Sequence, residues 1–380
     1  MKVLFACAGT GGHINPAIAI ANIILKNKKN TEILFVGTKD GLENSLVKNA
    51  GFDIKHIRTG KIIRSLTPKN FKALHNAYLG ISDAKEIIKE FKPDVVIGTG
   101  GYICVPVMLA AKKLKVPYIL HESNAFPGVS VKLLAKKASR VMIGFEDARK
   151  RLKNRKNIAY TGTPAKFNEE DIDNLDREDS KEKLNLSVRN IGTYKDMERK
   201  IIFVTGGSQG ARKLNQVVLD MVSVKRDEKM FFVLVTGNKN YDLVVTEKEK
   251  IEKENNIDLS KYIKIEKFVY DMQDMYNAAD ICITRSGAMT ITELALAKKA
   301  SVLIPYPYAA ENHQYYNAKV LEDIDAAKII EEDKLSIESL YNTLNDIIDN
   351  NKIEKMGQNA KKAQKKDVEK NIYLNIMDSI

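Results

Sequence analysis

The sequence lacks a hydrophobic run that could cross a membrane, since no apolar stretch approaches the roughly 18–20 residues that a spanning helix needs. Its first apolar stretch, Val3–Ala8, is also shorter than the core of a secretory signal peptide, and it leads into Gly-Thr-Gly-Gly rather than a cleavage site. We therefore predict that this stretch is the first strand of the fold.

Cysteine is scarce, and its spacing excludes domains held together by disulfides or structural zinc. The three cysteines, Cys7, Cys104 and Cys282, are far apart, stand in apolar runs and form no Cys-x-x-Cys pair. This pattern is typical of a reducing compartment. We predict that all three are buried thiols.

Acidic side chains are scarce only in the first half of the chain. Residues 1–165 carry 28 basic and 11 acidic side chains, whereas the rest carries 33 and 38, and the net charge is +12. A polyanionic partner would therefore face the first half. The sequence has no helix-turn-helix signal, zinc spacing or RNP-like aromatic motif, and its cations are spread over many segments, so we predict no nucleic acid partner.

Short β-branched runs alternate with amphipathic segments in both halves, which predicts parallel sheets covered on both faces. The predicted strands of the first half are Val3–Ala8, Thr31–Val36, Phe52–Ile57, Asp94–Ile97, Tyr118–His121, Arg140–Ile143 and Asn157–Tyr160. Those of the second half are Ile201–Thr205, Phe231–Thr236, Tyr262–Glu266, Ile281–Thr284, Ser301–Ile304 and Ala326–Ile330. The fold class is therefore α/β, with two doubly wound units.

We predict the following domain boundaries. Residues 1–165 form the first domain, 166–200 a linker and charged surface excursion, and 201–354 the second domain. A Lys-rich helix over about 355–380 is expected to pack back on the first domain. Ligands of doubly wound units bind outside the carboxyl ends of the strands, so we expect a ligand in the crevice between the two domains.

The strongest local signal is the glycine-rich stretch Ala8–Pro16, which lies between the first strand and a helix that Pro16 is predicted to open. Glycines and a helix N-terminus together favour phosphate or pyrophosphate. A dinucleotide site is disfavoured, because Ile14 stands where the third glycine of that motif belongs and Val36 is followed by Gly37 rather than an acidic residue. The alternative is a tight turn without a ligand, but His13 in the loop favours chemistry there.

A second glycine turn, Gly206–Gly210, follows the first strand of the second half and contains Ser208. It lacks the Gly-Lys-Ser/Thr of a Walker loop, so it predicts diphosphate binding at a helix N-terminus rather than nucleotide hydrolysis. A third turn, Arg285–Gly287, precedes Glu293, whose carboxylate can accept hydrogen bonds from a ribose diol. The alternative for Glu293 is a capping box with Thr290.

Two more turns, Gly98–Tyr102 and His121–Asn124, each follow a predicted strand and so belong on the same edge as the first glycine loop. The Asp-x-Asp pairs at Asp171 and Asp323 lie in charged surface segments rather than at strand ends, so we predict no metal site and no cofactor.

Taken in order, these motifs make the chain similar to the MurG family, the glycosyltransferases that convert lipid I to lipid II in peptidoglycan synthesis. The resemblance rests on six motifs: Gly9–His13, Gly98–Tyr102, His121–Asn124, Gly206–Gly210, Arg285–Ala288 with Glu293, and Gln314 before Tyr315. It implies a GT-B fold of two Rossmann-like domains facing a cleft. It also implies inverting transfer of N-acetylglucosamine from UDP-N-acetylglucosamine to the 4-hydroxyl of the muramoyl sugar of lipid I.

The resemblance also implies the site residues. The first domain would hold the acceptor and face the membrane, and the second would bind the donor. Residues expected to contact UDP-N-acetylglucosamine are Thr10, Gly11, Gly12, Asn124, Lys166, Ser208, Val269, Ala288, Met289, Thr290, Glu293 and Gln314. Lys166 stands where the family often has arginine, which keeps the charge but loses the bidentate fork. His13 is the candidate general base, with Glu122 in reserve.

A lipid-linked acceptor implies work at the cytoplasmic face of the cell membrane, as a peripheral protein. The basic first half would be attracted to an anionic inner-leaflet surface. Residues 61–78 mix cations with apolar side chains, as a segment lying on a membrane does, although a solvated helix packed on the core has the same pattern. Two other enzymes remain alternatives: a diacylglycerol glycosyltransferase, which differs in its acceptor, and a UDP-N-acetylglucosamine 2-epimerase, which uses no lipid.

Overall fold

The computed structural model describes residues 1–60, 68–152, 156–186, 199–207 and 210–380, without the side chains of 68–74. The chain divides into two compact units. Unit 1 comprises residues 1–166 and 365–380, and unit 2 comprises residues 167–364. Each unit is a parallel sheet with helices on both faces, so the predicted α/β class and the two doubly wound units are confirmed.

Unit 1 is built on seven parallel strands in the order β3-β2-β1-β4-β5-β6-β7. The strands are β1 (Lys2–Ala6), β2 (Glu32–Gly37), β3 (Asp53–His56), β4 (Val95–Gly98), β5 (Tyr118–Glu122), β6 (Arg140–Ile143) and β7 (Ile158–Tyr160). The helices are α1 (Gly11–Asn27), α2 (Glu43–Asn49), α3 (Pro68–Phe91), α4 (Cys104–Lys113), α5 (Val129–Leu134) and, from the end of the chain, α15 (Val368–Met377). Every residue of the central strands β4 and β5 is buried, which explains their continuous apolar sequences.

Unit 2 is built on six parallel strands in the order β10-β9-β8-β11-β12-β13. The strands are β8 (Lys200–Thr205), β9 (Met230–Val235), β10 (Ile263–Glu266), β11 (Ile281–Thr284), β12 (Ala300–Leu303) and β13 (Ala327–Ile329). The helices are α6 (Glu169–Asp173), α7 (Arg177–Lys183), α8 (Arg212–Lys225), α9 (Tyr241–Asn255), α10 (Met272–Ala278), α11 (Ala288–Leu296), α12 (His313–Glu322), α13 (Ile337–Asp349) and α14 (Ile353–Lys362).

The segment expected to be a linker carries ordered structure in its described part. Residues 167–186 form α6 and α7, which belong to unit 2 and pack on α10. Buried Asp274 of α10 accepts hydrogen bonds from Ser180 (3.1 Å) and Lys183 (2.6 Å) of α7. Residues 187–198 of the predicted excursion lie outside the described residues.

The C-terminal segment is two helices rather than one. Asp367 adopts a left-handed backbone (φ 55°) between α14 and α15 and so separates them. Helix α14 packs on α11 and β12 in unit 2, whereas α15 packs on α1 and β6 in unit 1 through buried Ile372 and Ile376.

The strand order of each sheet reverses at one point, and the glycine loops lie there. In unit 1 the order reverses between β1 and β4, and in unit 2 between β8 and β11. All strands are parallel, so the loops after these four strands leave the carboxyl edge of their sheet side by side. In open α/β sheets this is the position where ligands bind.

Within the described part of the chain, none of the helices combines the length and the apolar character needed to span a bilayer. The three cysteines are free and buried, as predicted, and burial raises the pKa of Cys104 and of Cys282 to about 12.

Candidate active site

The first glycine loop of unit 1 runs from the end of β1 directly into helix α1. Pro16 was expected to open this helix, and that prediction is wrong, because the helix begins at Gly11 and contains Pro16. Thr10 is its N-cap, with an extended backbone. Proline has no N–H, so the helix forgoes the bond to the carbonyl four residues earlier. Gly11, Gly12 and His13 form the first turn, in which the N–H of His13 donates to the carbonyl of Thr10 at 3.0 Å, whereas Gly11 and Gly12 stand at the helix start, where N–H groups have no intrahelical acceptor.

His13 is held by the loop after β4. Its Nδ1 lies 3.2 Å from the carbonyl oxygen of Thr99, and the Thr99 hydroxyl donates to the carbonyl of His13 at 2.7 Å. A carbonyl can only accept, so Nδ1 carries a proton, and in the neutral ring the lone pair that can accept a proton is then on Nε2. Gly100 leaves room for the ring, because a Cβ there would lie 2.4 Å from Nδ1 of His13, and its φ of +114° disfavours any side chain.

Glu122, at the end of β5, organises the loop that follows it. Its carboxylate is buried and accepts hydrogen bonds from the backbone N–H of Asn124 (2.9 Å), the Asn124 side chain (3.0 Å) and the N–H of Gly128 (2.8 Å). Burial raises the pKa of Glu122, and these donors oppose the rise. The same bonds fix the side chain of Asn124 at the edge of the sheet.

The neighbouring His121 joins this loop to the turn after β7. Its Nε2 lies 3.2 Å from the carbonyl oxygen of Gly162, and Ser123 Oγ lies 3.2 Å from its Nδ1. Complete burial lowers the pKa of His121 to about 4, so the ring is neutral near pH 7. A neutral ring with Nε2–H donating to Gly162 leaves Nδ1 to accept from Ser123.

In unit 2 the second glycine turn follows β8 and leads into α8. Gly206 and Gly210 must be glycine on steric grounds, because a Cβ at Gly206 would lie 2.4 Å from the N of Ala211 and one at Gly210 would lie 2.2 Å from the carbonyl oxygen of Thr236. Helix α8 begins at Arg212 and has 14 residues, so its N-terminus carries a partial positive charge beside this turn. Ser208, a predicted donor contact, lies outside the described residues.

The turn after β11 is fixed by side-chain hydrogen bonds that are buried or partly buried. Arg285 donates to the carbonyls of Ile304 and Pro305 and pairs with Glu332. The amide of buried Asn317 donates to the carbonyl of Ser286 at 3.1 Å. These contacts connect the carboxyl ends of β11 and β12 to helix α12.

Glu293 is not a capping residue. Helix α11 begins at Ala288 with Gly287 as its N-cap, so Thr290 already lies inside the first turn and the capping-box alternative is wrong. Ala288 is buried, and Met289 and Thr290 are half-buried in that turn. The carboxylate of Glu293 is buried and accepts a hydrogen bond at 3.1 Å from the phenol of Tyr276, a fully buried residue of α10.

Three more predicted donor contacts are placed as follows. Val269 is half-buried in the loop after β10. This loop lies at the carboxyl edge of the sheet, as the second glycine turn does. Gln314 lies in the first turn of α12 and accepts from the N–H of Tyr306 at 2.9 Å. Lys166 is exposed and is the last residue of the first segment of unit 1.

The sequence analysis overlooked three residues that hold the predicted ones in place. These are Thr99, which binds His13, Tyr276, which binds Glu293, and Glu43, which binds Gly9. Thr99 was within a recognised motif, but its pairing with His13 spans 86 residues. Tyr276 and Glu43 had no motif, and only their burial in the folded chain marks them.

Models of two protein domains match the chain. The glycosyltransferase family 28 N-terminal domain matches residues 3–143, and the family 28 C-terminal domain matches residues 201–372. These ranges include the first glycine loop in unit 1 and the loops after β8 and β11 in unit 2.

Known proteins are similar over the whole chain. A UDP-N-acetylglucosamine–N-acetylmuramyl-(pentapeptide) pyrophosphoryl-undecaprenol N-acetylglucosamine transferase from a Thermoanaerobacter species is 43% identical over 98% of both chains. Among solved structures, the MurG of Acinetobacter baumannii is 26% identical, with a TM-score of 0.75 and 99% of each chain covered. A UDP-N-acetylglucosamine 2-epimerase from Neisseria meningitidis is 14% identical with a TM-score of 0.60, which shows a shared fold alone.

Two parallel, doubly wound units and the likeness to a solved MurG structure identify the fold as GT-B. The glycine loops lie where the strand order of each sheet reverses. The 43% sequence identity to a transferase over 98% of the chain is far higher than that of proteins that share only a fold. The chain therefore belongs to the MurG family of glycosyltransferases.

Proposed function

We propose that the protein transfers N-acetylglucosamine from UDP-N-acetylglucosamine to the 4-hydroxyl of the muramoyl sugar of lipid I, forming lipid II for peptidoglycan synthesis. The observation that carries this proposal is the 43% identity, over 98% of the chain, to a transferase named for this donor and acceptor. The loops at the carboxyl edges of the two sheets supply groups suited to activating the acceptor and to stabilising the leaving diphosphate.

On the acceptor side, His13 is the proposed general base. Its Nδ1 proton is donated to the Thr99 carbonyl, so Nε2 is the nitrogen able to take the proton of the attacking hydroxyl. The acceptor oxygen forms a bond to the anomeric carbon as the bond to the diphosphate breaks, and UDP leaves with that electron pair. Thr10, Gly11 and Gly12 belong to the same helix start, and Asn124 is held beside Glu122, so these residues are proposed to line the sugar.

On the donor side, the diphosphate is proposed to bind in unit 2 at the glycine turn and the N-terminus of α8, together with Ser208, and Lys166 of unit 1 is a further proposed donor contact. A helix N-terminus stabilises the negative charge that grows on a leaving diphosphate. Glu293 is proposed to accept from the ribose diol. Val269, Ala288, Met289, Thr290 and Gln314 are the other proposed donor contacts, all in loops or first helical turns at the carboxyl edge of the sheet.

The role of Glu122 is better explained by its hydrogen bonds than by base catalysis. Three donors already occupy its carboxylate, and all three come from the loop after β5. We therefore assign Glu122 to shaping the acceptor loop around Asn124, and His13 to proton transfer.

The activity itself is tested by mixing the purified protein with UDP-N-acetylglucosamine and a short-chain lipid I analogue and measuring UDP release. We expect release that depends on the analogue and yields a disaccharide product. A diacylglycerol acceptor in a parallel reaction tests the alternative transferase, and detection of N-acetylmannosamine without an acceptor tests the epimerase. Release with diacylglycerol but not with the lipid I analogue would refute the proposed acceptor.

Replacing His13→Ala removes the proposed base without touching the donor residues of unit 2. We expect kcat to fall about 10²- to 10⁴-fold, the usual contribution of general base catalysis. The dissociation constant of UDP, measured by calorimetry, should change less than about twofold, since no donor group is lost. His56→Ala is the matched control, because His56 bonds Asn44 elsewhere in unit 1 and should keep normal turnover. Normal turnover in His13→Ala would exclude it as the base.

The substitution Tyr276→Phe removes the hydroxyl group that donates a hydrogen bond to Glu293. A hydrogen bond to a charged group contributes about 1.5–3 kcal/mol, of which ligand binding senses a part. We therefore expect UDP to bind about three- to tenfold more weakly, and 2′,3′-dideoxy-UDP, which lacks the diol, to bind as it does to the unmodified protein. Tyr118→Phe is the control, because it also removes a buried tyrosine hydroxyl, but one in unit 1 that donates to the carbonyl of Leu134. Equal losses for both nucleotides would contradict the diol role of Glu293.

We place the protein at the cytoplasmic face of the membrane as a peripheral protein, drawn to anionic lipid by its basic first half. In the described part of unit 1, Val129 and Leu133 are exposed apolar residues of α5, and exposed Lys136 and Lys137 follow them. Of the segment predicted to lie on the membrane, residues 61–67 and the side chains of 68–74 lie outside what the structure describes. Tyr78, in the same segment, is exposed.

Vesicle flotation tests this placement. We expect co-flotation with phosphatidylglycerol vesicles at low salt, little with phosphatidylcholine, and release as the salt concentration rises, because each well-placed cation contributes about 1 kcal/mol that salt screens. Equal binding to both vesicle types would count against an electrostatic attachment.

A further inference from the structure

A buried carboxylate outside the predicted site contacts the first glycine loop. Glu43 is the first residue of α2, and its side chain is fully buried. One carboxylate oxygen accepts from the N–H of Thr38 at 2.9 Å and from its hydroxyl at 2.7 Å. The other accepts from the N–H of Gly9 at 3.3 Å. Glu43 therefore ties the loop after β2 to the loop after β1.

Two glycines make room for this carboxylate. A Cβ at Gly37 would lie 2.6 Å from Cγ of Glu43, and one at Gly41 would lie 2.1 Å from its Oε1. All three hydrogen-bond donors to the carboxylate are uncharged groups. Burying a carboxyl group is costly unless its oxygens are well bonded, so these loops are built around its two acceptor oxygens.

The bond to Gly9 acts at the start of helix α1. Gly9 has a φ of +103° and is followed by Thr10, the N-cap, whose carbonyl accepts from the N–H of His13 at 3.0 Å. An anchor on Gly9 thus fixes the direction in which the chain enters the turn that carries Gly11, Gly12 and His13. A shift of about 1 Å in such a turn can cost about 100-fold in rate.

We propose that Glu43 is a positioning residue for the acceptor side of the reaction: by holding Gly9, it sets the first turn of α1 and the place of His13. This inference rests on the proposed function, because it assigns that turn to the acceptor. Glu43 lies in unit 1, whereas the groups proposed to hold UDP lie in unit 2 apart from Lys166, which Glu43 does not contact, so the loss of Glu43 should affect transfer and leave UDP binding unchanged.

Both oxygens of the carboxylate are needed as acceptors. Glutamine has the same shape but offers one oxygen and one NH₂ group. In either orientation Glu43→Gln would set the NH₂ group against an N–H, that of Gly9 or that of Thr38. The amide therefore breaks one of the two attachments without leaving a cavity.

Gly41→Ala is a second, independent variant. Its new Cβ would overlap the end of the Glu43 side chain, which can move away because it is the flexible terminus of the residue. The variant keeps Glu43 itself but displaces the carboxylate from its donors. Glu32→Gln is the matched control, because it makes the same chemical change at an exposed carboxylate. Glu32 lies at the start of β2, whereas Thr38, which bonds Glu43, follows the other end of that strand.

The experiment measures steady-state transfer to the lipid I analogue, together with UDP binding by calorimetry, for the unmodified protein and the three variants. In Glu43→Gln and Gly41→Ala we expect kcat to fall at least about tenfold, or KM for the acceptor to rise as much, with the UDP dissociation constant within about twofold of the original. Glu32→Gln should match the unmodified protein. Unchanged kcat and acceptor KM in both Glu43→Gln and Gly41→Ala would overturn the proposal, and so would an equal loss of UDP binding.

Hydrogen exchange gives a readout that needs no activity. The N-terminal peptide that contains Gly9 should exchange faster in Glu43→Gln than in the unmodified protein, while the peptides of unit 2 stay unchanged. Unchanged exchange in that peptide would show that Glu43 does not hold the loop. Failure of the proposed function is recognised separately, because the unmodified protein would then release no UDP with the lipid I analogue.

Discussion

The reversal of strand order within each parallel sheet is the constraint on which the rest of the structure depends. Between β1 and β4, and again between β8 and β11, neighbouring strands send their following helices to opposite faces. A gap opens at the carboxyl edge, and the backbone there must turn sharply into a helix N-terminus. Glycine occupies these turns because a Cβ would collide with the neighbouring loop, as at Gly101, where it would lie 2.4 Å from the carbonyl oxygen of Ala8.

Loops at such an edge need to be held, and in unit 1 two buried carboxylates do this. Glu43 and Glu122 in unit 1 accept from backbone N–H groups of the loops around them, and Glu293 in unit 2 accepts from a buried phenol. Each of these buried carboxylates has hydrogen-bond donors directed at its oxygens, since burying a carboxylate without such partners is costly.

The two units differ in electrostatics as their proposed roles require. Residues 1–165, nearly all of the first segment of unit 1, carry 28 basic against 11 acidic side chains. A lipid-linked acceptor carries a diphosphate and resides in an anionic leaflet, and a basic surface is attracted to both. The rest of the chain is mildly acidic, so the proposed diphosphate site there depends on local groups, a glycine turn and a helix N-terminus, rather than on net charge.

The amino-acid sequence alone determined the fold class, nearly all strand positions and the family, because alternating apolar runs and ordered glycine motifs are local signals. It also predicted His13 and Glu293 as site residues, and their motifs follow strands at the reversal of each sheet. It misplaced the start of α1, because Pro16 resembles an opening residue although the N-cap is Thr10. Only the tertiary structure decided which residues hold the chemical groups in place: Thr99 meets His13 across 86 residues, and Glu43 meets Gly9 across 34. Such partners have no spacing rule, since they are set by which strands become neighbours in the folded sheet.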